Sequence, residues 1–164
     1  MRENQKEIKT QQDIDDLMEI FYGFHDSCLF SAKYKSGNFV DEENAMCFGL
    51  EENYVLEVIF HSQWQEKALV MCFVGVRQCC IAGFQEYYMN VMLDCYLKIH
   101  QDLVPDDDTP LIVWADCDEF SPKSEIARNL LQEPLSSYIV ANKAYWYLEE
   151  KNVDGYQEFA YKRT

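Results

Sequence analysis

The chain has 164 residues, 48% of them apolar and 26% charged, enough for one hydrophobic core and too apolar for wholesale disorder. Fourteen Lys and Arg against 29 Asp and Glu give a net charge of −15, which repels phosphate backbones and sets nucleic-acid binding aside. The longest apolar run falls far short of the ~20 residues that cross a bilayer, and Met1-Arg2-Glu3-Asn4-Gln5-Lys6 is too polar for a signal peptide, so neither membrane nor export is expected.

The first element is an amphipathic helix from about Gln11 to Tyr22. Ile14, Leu17, Met18 and Phe21 form one apolar stripe at helical spacing. Thr10 and Asp13 have capping-box spacing, with the acid standing in for Glu, and Gly23 is a natural stop. A meander of strands follows. Cys28, Phe30, Ala32 and Tyr34 alternate with Ser31, Lys33 and Lys35, which predicts one buried and one wet face. Ser36-Gly37-Asn38 marks a turn. Ala45 to Leu50 reads as a strand with Met46, Phe48 and Leu50 on one side, and Tyr54 to His61 as the next. Lys67 to Val76 is apolar on both faces, as a covered central strand would be, and Cys79 to Ala82 extends it after a break near Arg77-Gln78.

From about Phe84 to Leu103 the length, the scarcity of β-branched residues and the Asp94–Lys98 spacing favour a second helix. The Pro105–Pro110 segment is a loop, Leu111 to Ala115 a strand, and Ser121-Pro122 a cap for a short helix carrying Ile126, Leu130 and Leu131. Two closing strands, Ser136 to Ala141 and Ala144 to Glu149, flank a turn at Asn142-Lys143. The expected fold is α+β: a mainly antiparallel sheet or partly closed barrel packed by two or three helices, one domain over residues 1–164 with 151–164 as a loosely ordered polar tail.

Seven cysteines, an odd number, cannot all pair, and most lie in apolar stretches such as Val70-Met71-Cys72-Phe73-Val74. They read as small core residues in a reducing, cytoplasmic setting. There is no CxxC pair for zinc. Asp106-Asp107-Asp108 lacks the glycine and the terminal glutamate of a calcium loop, so no metal and no cofactor are expected. The GxGxxG, P-loop, GxSxG and HExxH motifs are all missing.

Chemistry, if any, falls to three histidines. His25 and Asp26 have the composition of an acid/base pair, and with His61 they are candidates to line a pocket. The plainer reading places His25 at a helix C-terminus and Asp26 in the turn that follows, which makes both fold-critical. Asp116, Asp118 and Glu119 at a strand exit, with Tyr145, Tyr147 and Glu149 on a closing strand, are candidates for binding a partner. Tyr145 and Tyr147 fall on the face opposite Trp146 and Leu148.

The stretch Gly23-Phe24-His25-Asp26-Ser27 running into an alternating strand, together with Ile139-Val140-Ala141-Asn142-Lys143-Ala144-Tyr145-Trp146, resembles small bacterial proteins grouped with the immunity proteins of polymorphic toxin systems. The resemblance implies a cytoplasmic protein that binds and neutralises a toxin, and it brings no catalytic residues with it. Such a protein would meet a basic partner with its carboxylates. The expectation is therefore a non-enzymatic interaction protein. A small enzyme or ligand-binding domain around His25, Asp26 and His61 is the rival, and self-association through sheet edges is a third course.

Overall fold

A computed structural model of the chain describes residues 4–83, 90–123 and 136–152. The Thr10 hydroxyl accepts the Asp13 amide (3.3 Å), and Asp13 Oδ2 accepts the amides of Thr10 (2.8 Å) and Lys9 (2.9 Å), so the capping box starts the helix α1 (Gln11–Ile20) where its spacing predicts. Ile14, Leu17 and Phe21 then point into the core.

Apart from two single 3-10 turns, Tyr22–Phe24 and Glu51–Asn53, the remaining elements among the described residues are strands: β1 (Lys6–Ile8) ahead of the helix, then β2 (Ser27–Lys35), β3 (Phe39–Val40), β4 (Met46–Cys47), β5 (Val55–Ser62), β6 (Ala68–Cys80), β7 (Val91–Met92), β8 (Tyr96–His100), β9 (Leu111–Ala115) and β10 (Tyr138–Glu149). One antiparallel sheet runs β7-β2-β5-β6-β10-β9-β8, with β1 added beside the second half of β10, while β3 and β4 pair only with each other. Strands β7 and β8 sit at opposite edges of that order yet are joined by only Leu93, Asp94 and Cys95. From Met92 to Tyr96 the chain can reach no more than about 14 Å, so the sheet must curl until its edges approach.

Inside the curl lie Leu56, Val58, Phe60, Leu69, Met71, Phe73, Trp114, Ile139 and Trp146, in one cluster with the buried residues of α1. Phe24 anchors it, with ring centroids 5.0 Å from Phe21, 5.2 Å from Phe60 and 6.4 Å from Trp114. Side chains of this size contribute about 1.5–3 kcal/mol each on burial, which makes the aromatic cluster the main cohesive element. A second, smaller cluster (Tyr96, Val113, Ala115 and Tyr138, with Leu103, Phe120 and Val140 against it) covers the other face of β9.

Several expectations are corrected. Among the described residues there is one α-helix, not two or three. The segment read as a second helix contains β7 and β8; its first part, 84–89, lies outside the described residues, as does most of the short helix expected after Ser121-Pro122. Strand β8 is covered on both faces at its start, with Tyr96 in the smaller cluster and Leu97 in the main one, while Lys98 is exposed. Asp94 does not meet Lys98 as an i, i+4 pair would; its Oδ1 accepts the Asp118 amide (3.1 Å).

The two closing strands are one, because β6 pairs with β10 along its whole length. In place of a turn at Asn142 the pair carries a bulge, with Arg77 as the extra residue between Val76 and Gln78, and Gly75 in a left-handed conformation (φ +68°) facing Asn142. The break expected near Arg77-Gln78 is this bulge. A second bulge at Phe30 shifts the phase of β2, so Cys28 shares the outer face with His61, whereas Ala32 and Tyr34 share the inner face with Val58 and Leu56. Among the described residues the edge of β2 pairs only with β7, at Ser27 and Cys28, and Tyr34 is exposed rather than buried. Ala45 to Leu50 is not a strand of the main sheet; only Met46 and Cys47 pair, with β3.

Candidate functional site

His25 and Asp26 lie in the turn between α1 and β2. Tyr22, Gly23, Phe24 and Asp26 have φ of +53°, +62°, +63° and +51°. For a residue other than glycine this conformation costs roughly 1–2 kcal/mol, and it persists only where the surroundings over-determine it. Here they do. Phe21 and Phe24 on either side of the turn are fully buried. The His25 Nδ1–H donates to the Leu93 carbonyl (2.8 Å), the Gln63 amide donates to the Asp26 carbonyl (3.1 Å), and the Trp64 indole N–H donates to Asp26 Oδ2 (3.0 Å). Gln65 Nε2 ties the same region to the Ile20 carbonyl at the helix end (3.1 Å). The pair thus staples the helix end to the β5–β6 and β7–β8 connections. His25 Nε2 stands 3.6 Å from Asp26 Oδ2, beyond hydrogen-bond distance.

His61 belongs to another surface. Its ring stacks on Phe30 on the outer face of the sheet (centroids 4.0 Å apart, planes 12° apart). Its Nε2 is buried without a hydrogen-bond partner among the described residues. Burial, and then the charge of Lys151, whose ammonium donates to the adjacent Ser62 carbonyl (2.7 Å), hold the imidazole below its ordinary pKa. His25, which turns to Leu93, and His61, which lies against Phe30, do not converge on a common atom. His100 sits on β8 with its Nε2 2.7 Å from the Tyr96 hydroxyl, not on a helix.

The strand-exit acids separate as well. Asp116 turns inward, with its Oδ2 accepting the Ser137 amide (2.8 Å) and its own amide donating to the Ser137 carbonyl (3.0 Å). Burial raises its pKa, although the Ser137 hydrogen bonds oppose the shift. With Leu29, Asn90, Met92, Trp114 and Ser137 it lines a cavity of about 50 Å³, room for little more than a water. Asp118 and Glu119 stay exposed. Tyr145 and Tyr147 do take the face opposite Trp146, but Tyr147 is buried and the Tyr145 hydroxyl donates to Glu7 (3.3 Å). Glu149, across from Ala68 on that face, is half-buried. Neither tyrosine therefore offers a broad open aromatic surface. Among the described residues no group of three or more His, Cys, Asp or Glu is placed to hold a metal ion.

The surface that strand periodicity conceals is the arm of β3 and β4. Alternation puts Met46, Phe48 and Leu50 on one side of a strand, and that side is exposed. One signal was available in the sequence: from Asn38 to Tyr54 there are five acids and no Lys, Arg or His. No family model, curated protein or solved structure matches the chain.

Proposed function

We propose that the chain is a protein-binding module for a basic partner, in the manner of an immunity protein that neutralises a basic toxin. The observation that carries this reading is local charge: Asp41, Glu42 and Glu43 stand at the turn of the β3–β4 arm and Glu51 and Glu52 in the short turn that follows it against β6, with no Lys, Arg or His from Asn38 to Tyr54, in a chain of net charge −15. Such a field speeds encounter with a positive surface and rejects acidic competitors. The free state of all seven cysteines accords with a reducing compartment. No helix among the described residues is long and apolar enough to cross a membrane. The rival, a catalytic pocket around His25, Asp26 and His61, has less support, because His25 bonds the Leu93 carbonyl while His61 stacks on Phe30 on the outer face of the sheet.

The test is affinity purification from the native cell, followed by measurement of the co-purifying protein's affinity from low to high salt. The expected partner carries net positive charge, and its affinity falls at least about tenfold over the range as the charges are screened. An acidic partner, or an affinity indifferent to salt, overturns the reading.

A further inference from the structure

The arm is built as a display rather than as part of the core. Phe39, Val40, Met46, Phe48 and Leu50 are 58%, 55%, 60%, 77% and 68% exposed, an unusual concentration of large apolar side chains within twelve positions. Without a core of its own, a two-stranded hairpin is marginally stable in water. This one is held from both ends by polar and steric locks. At its tip, Asp41 Oδ1 accepts the amides of Glu43 and Ala45, both at 2.9 Å. At its base, Asn38 Oδ1 accepts the Gly49 amide (3.0 Å) and the Tyr54 hydroxyl (3.2 Å), and Asn53 Oδ1 accepts the Leu50 amide (2.7 Å). Gly37 and Gly49 pack so closely that a Cβ on Gly49 would stand 2.9 Å from the Gly37 carbonyl oxygen. The backbone that carries the apolar side chains is therefore fixed, which lowers the ordering cost of a contact made through them.

Between the arm and the ends of β2 and β5 lies an open cleft of about 600 Å³, lined by Lys35, Phe39, Phe48, Leu50 and Val55 among others. That is room for one or two large side chains. Lys35 is the cation on the β2 side of the cleft, and the arm side carries acids alone. Glu51 is already taken by Arg77 and Asn142, which leaves Asp41, Glu42 and Glu43 on the arm, and Glu52 beside it, without a Lys or Arg ion pair among the described residues. A second copy of the chain would bring the same carboxylates against these and add its own −15, so self-pairing here is opposed.

We infer that the arm is the docking surface for an extended segment of another protein, in which a large apolar side chain enters the cleft and flanking Lys or Arg residues meet the carboxylates. This assignment rests on the basic-partner reading above and adds to it a place and a mode of contact.

The test pans a displayed library of random peptides of about twelve residues against the full chain at low salt, with counter-selection on a Phe48→Ser/Leu50→Ser variant. Both positions are exposed, so the variant should melt with the parent, and its melting curve checks that it is folded. Expected peptides combine Lys or Arg with an aromatic or long aliphatic residue, bind the variant about tenfold or more weakly, and show a shallower salt dependence on a Glu42→Gln/Glu43→Gln variant. Basic peptides that bind all variants alike overturn the arm assignment and leave the basic-partner reading standing. Acidic or uncharged peptides overturn both. An absence of enrichment over the counter-selected variant overturns the assignment. So does a dimer in sedimentation that the Phe48→Ser/Leu50→Ser changes dissociate, because the occupant would then be a second copy.

Discussion

Three glycines separate two costs that are usually confounded. Gly23 has φ +62° with open space where a Cβ would go, Gly75 has φ +68° with Asn142 Cβ 3.0 Å from that place, and Gly83 has neither constraint. Gly23→Ala therefore isolates the left-handed backbone penalty, about 1–2 kcal/mol, less the few tenths to 1 kcal/mol that alanine returns by restricting the unfolded chain. The net is about 1 kcal/mol, or roughly 2–4 °C in melting temperature for a chain of this length. Gly75→Ala adds a contact between two central strands, where β6 and β10 cannot part without loosening the bulge beside them. Its total should reach about 2–3 kcal/mol, or roughly 5–10 °C. Gly83→Ala should lie within about 0.5 kcal/mol of the parent. Urea unfolding of the three variants beside the parent, read by circular dichroism and fitted for midpoint and slope, measures the series. A Gly75→Ala variant no less stable than Gly23→Ala would refute the close packing of β6 on β10 at that point. A neutral Gly23→Ala would refute the left-handed turn.

Other outcomes follow from single contacts. Phe24→Ala removes the ring that joins Phe21, Phe60 and Trp114 and should cost about 3–5 kcal/mol in denaturant unfolding; a loss below about 1 kcal/mol would mean the cluster collapses around the gap. Thr10→Ala breaks the capping box and should lower stability by about 1 kcal/mol, with the melting temperature following. His61, held by burial below the ordinary 6.5, binds fewer protons folded than unfolded in the window just beneath that value. Stability should therefore rise with pH through this window and fall on acidification. Melting temperatures from pH 5 to 7.5 should show a shallower slope for His61→Gln, and an unchanged slope would remove the argument.

The candidate site was only partly legible. Gly23-Phe24-His25-Asp26-Ser27 stands out in the sequence because it is a backbone knot, with three left-handed residues, and Tyr22 just before them a fourth, over-determined by buried rings and hydrogen bonds. Composition could mark the place but not decide between catalysis and stapling, since that depends on what lies across from His25. The arm was misread because alternating apolar residues look the same whether a sheet covers them or nothing does.

What this sequence determines unaided is local: the capped amphipathic helix, the prevalence of antiparallel strands, the acidic field and the absence of familiar catalytic motifs. Each is written in the spacing or the sum of neighbouring residues. Tertiary structure decided the rest. Whether residues 96–100 form helix or strand, whether Asn142 turns or continues, and whether Tyr147 or Phe48 meets solvent depend on which strand lies alongside and on bulges that shift the pleat by one residue. Pairing partners far apart along the chain set those outcomes, because the hydrogen bonds and covering side chains they supply outweigh local preference.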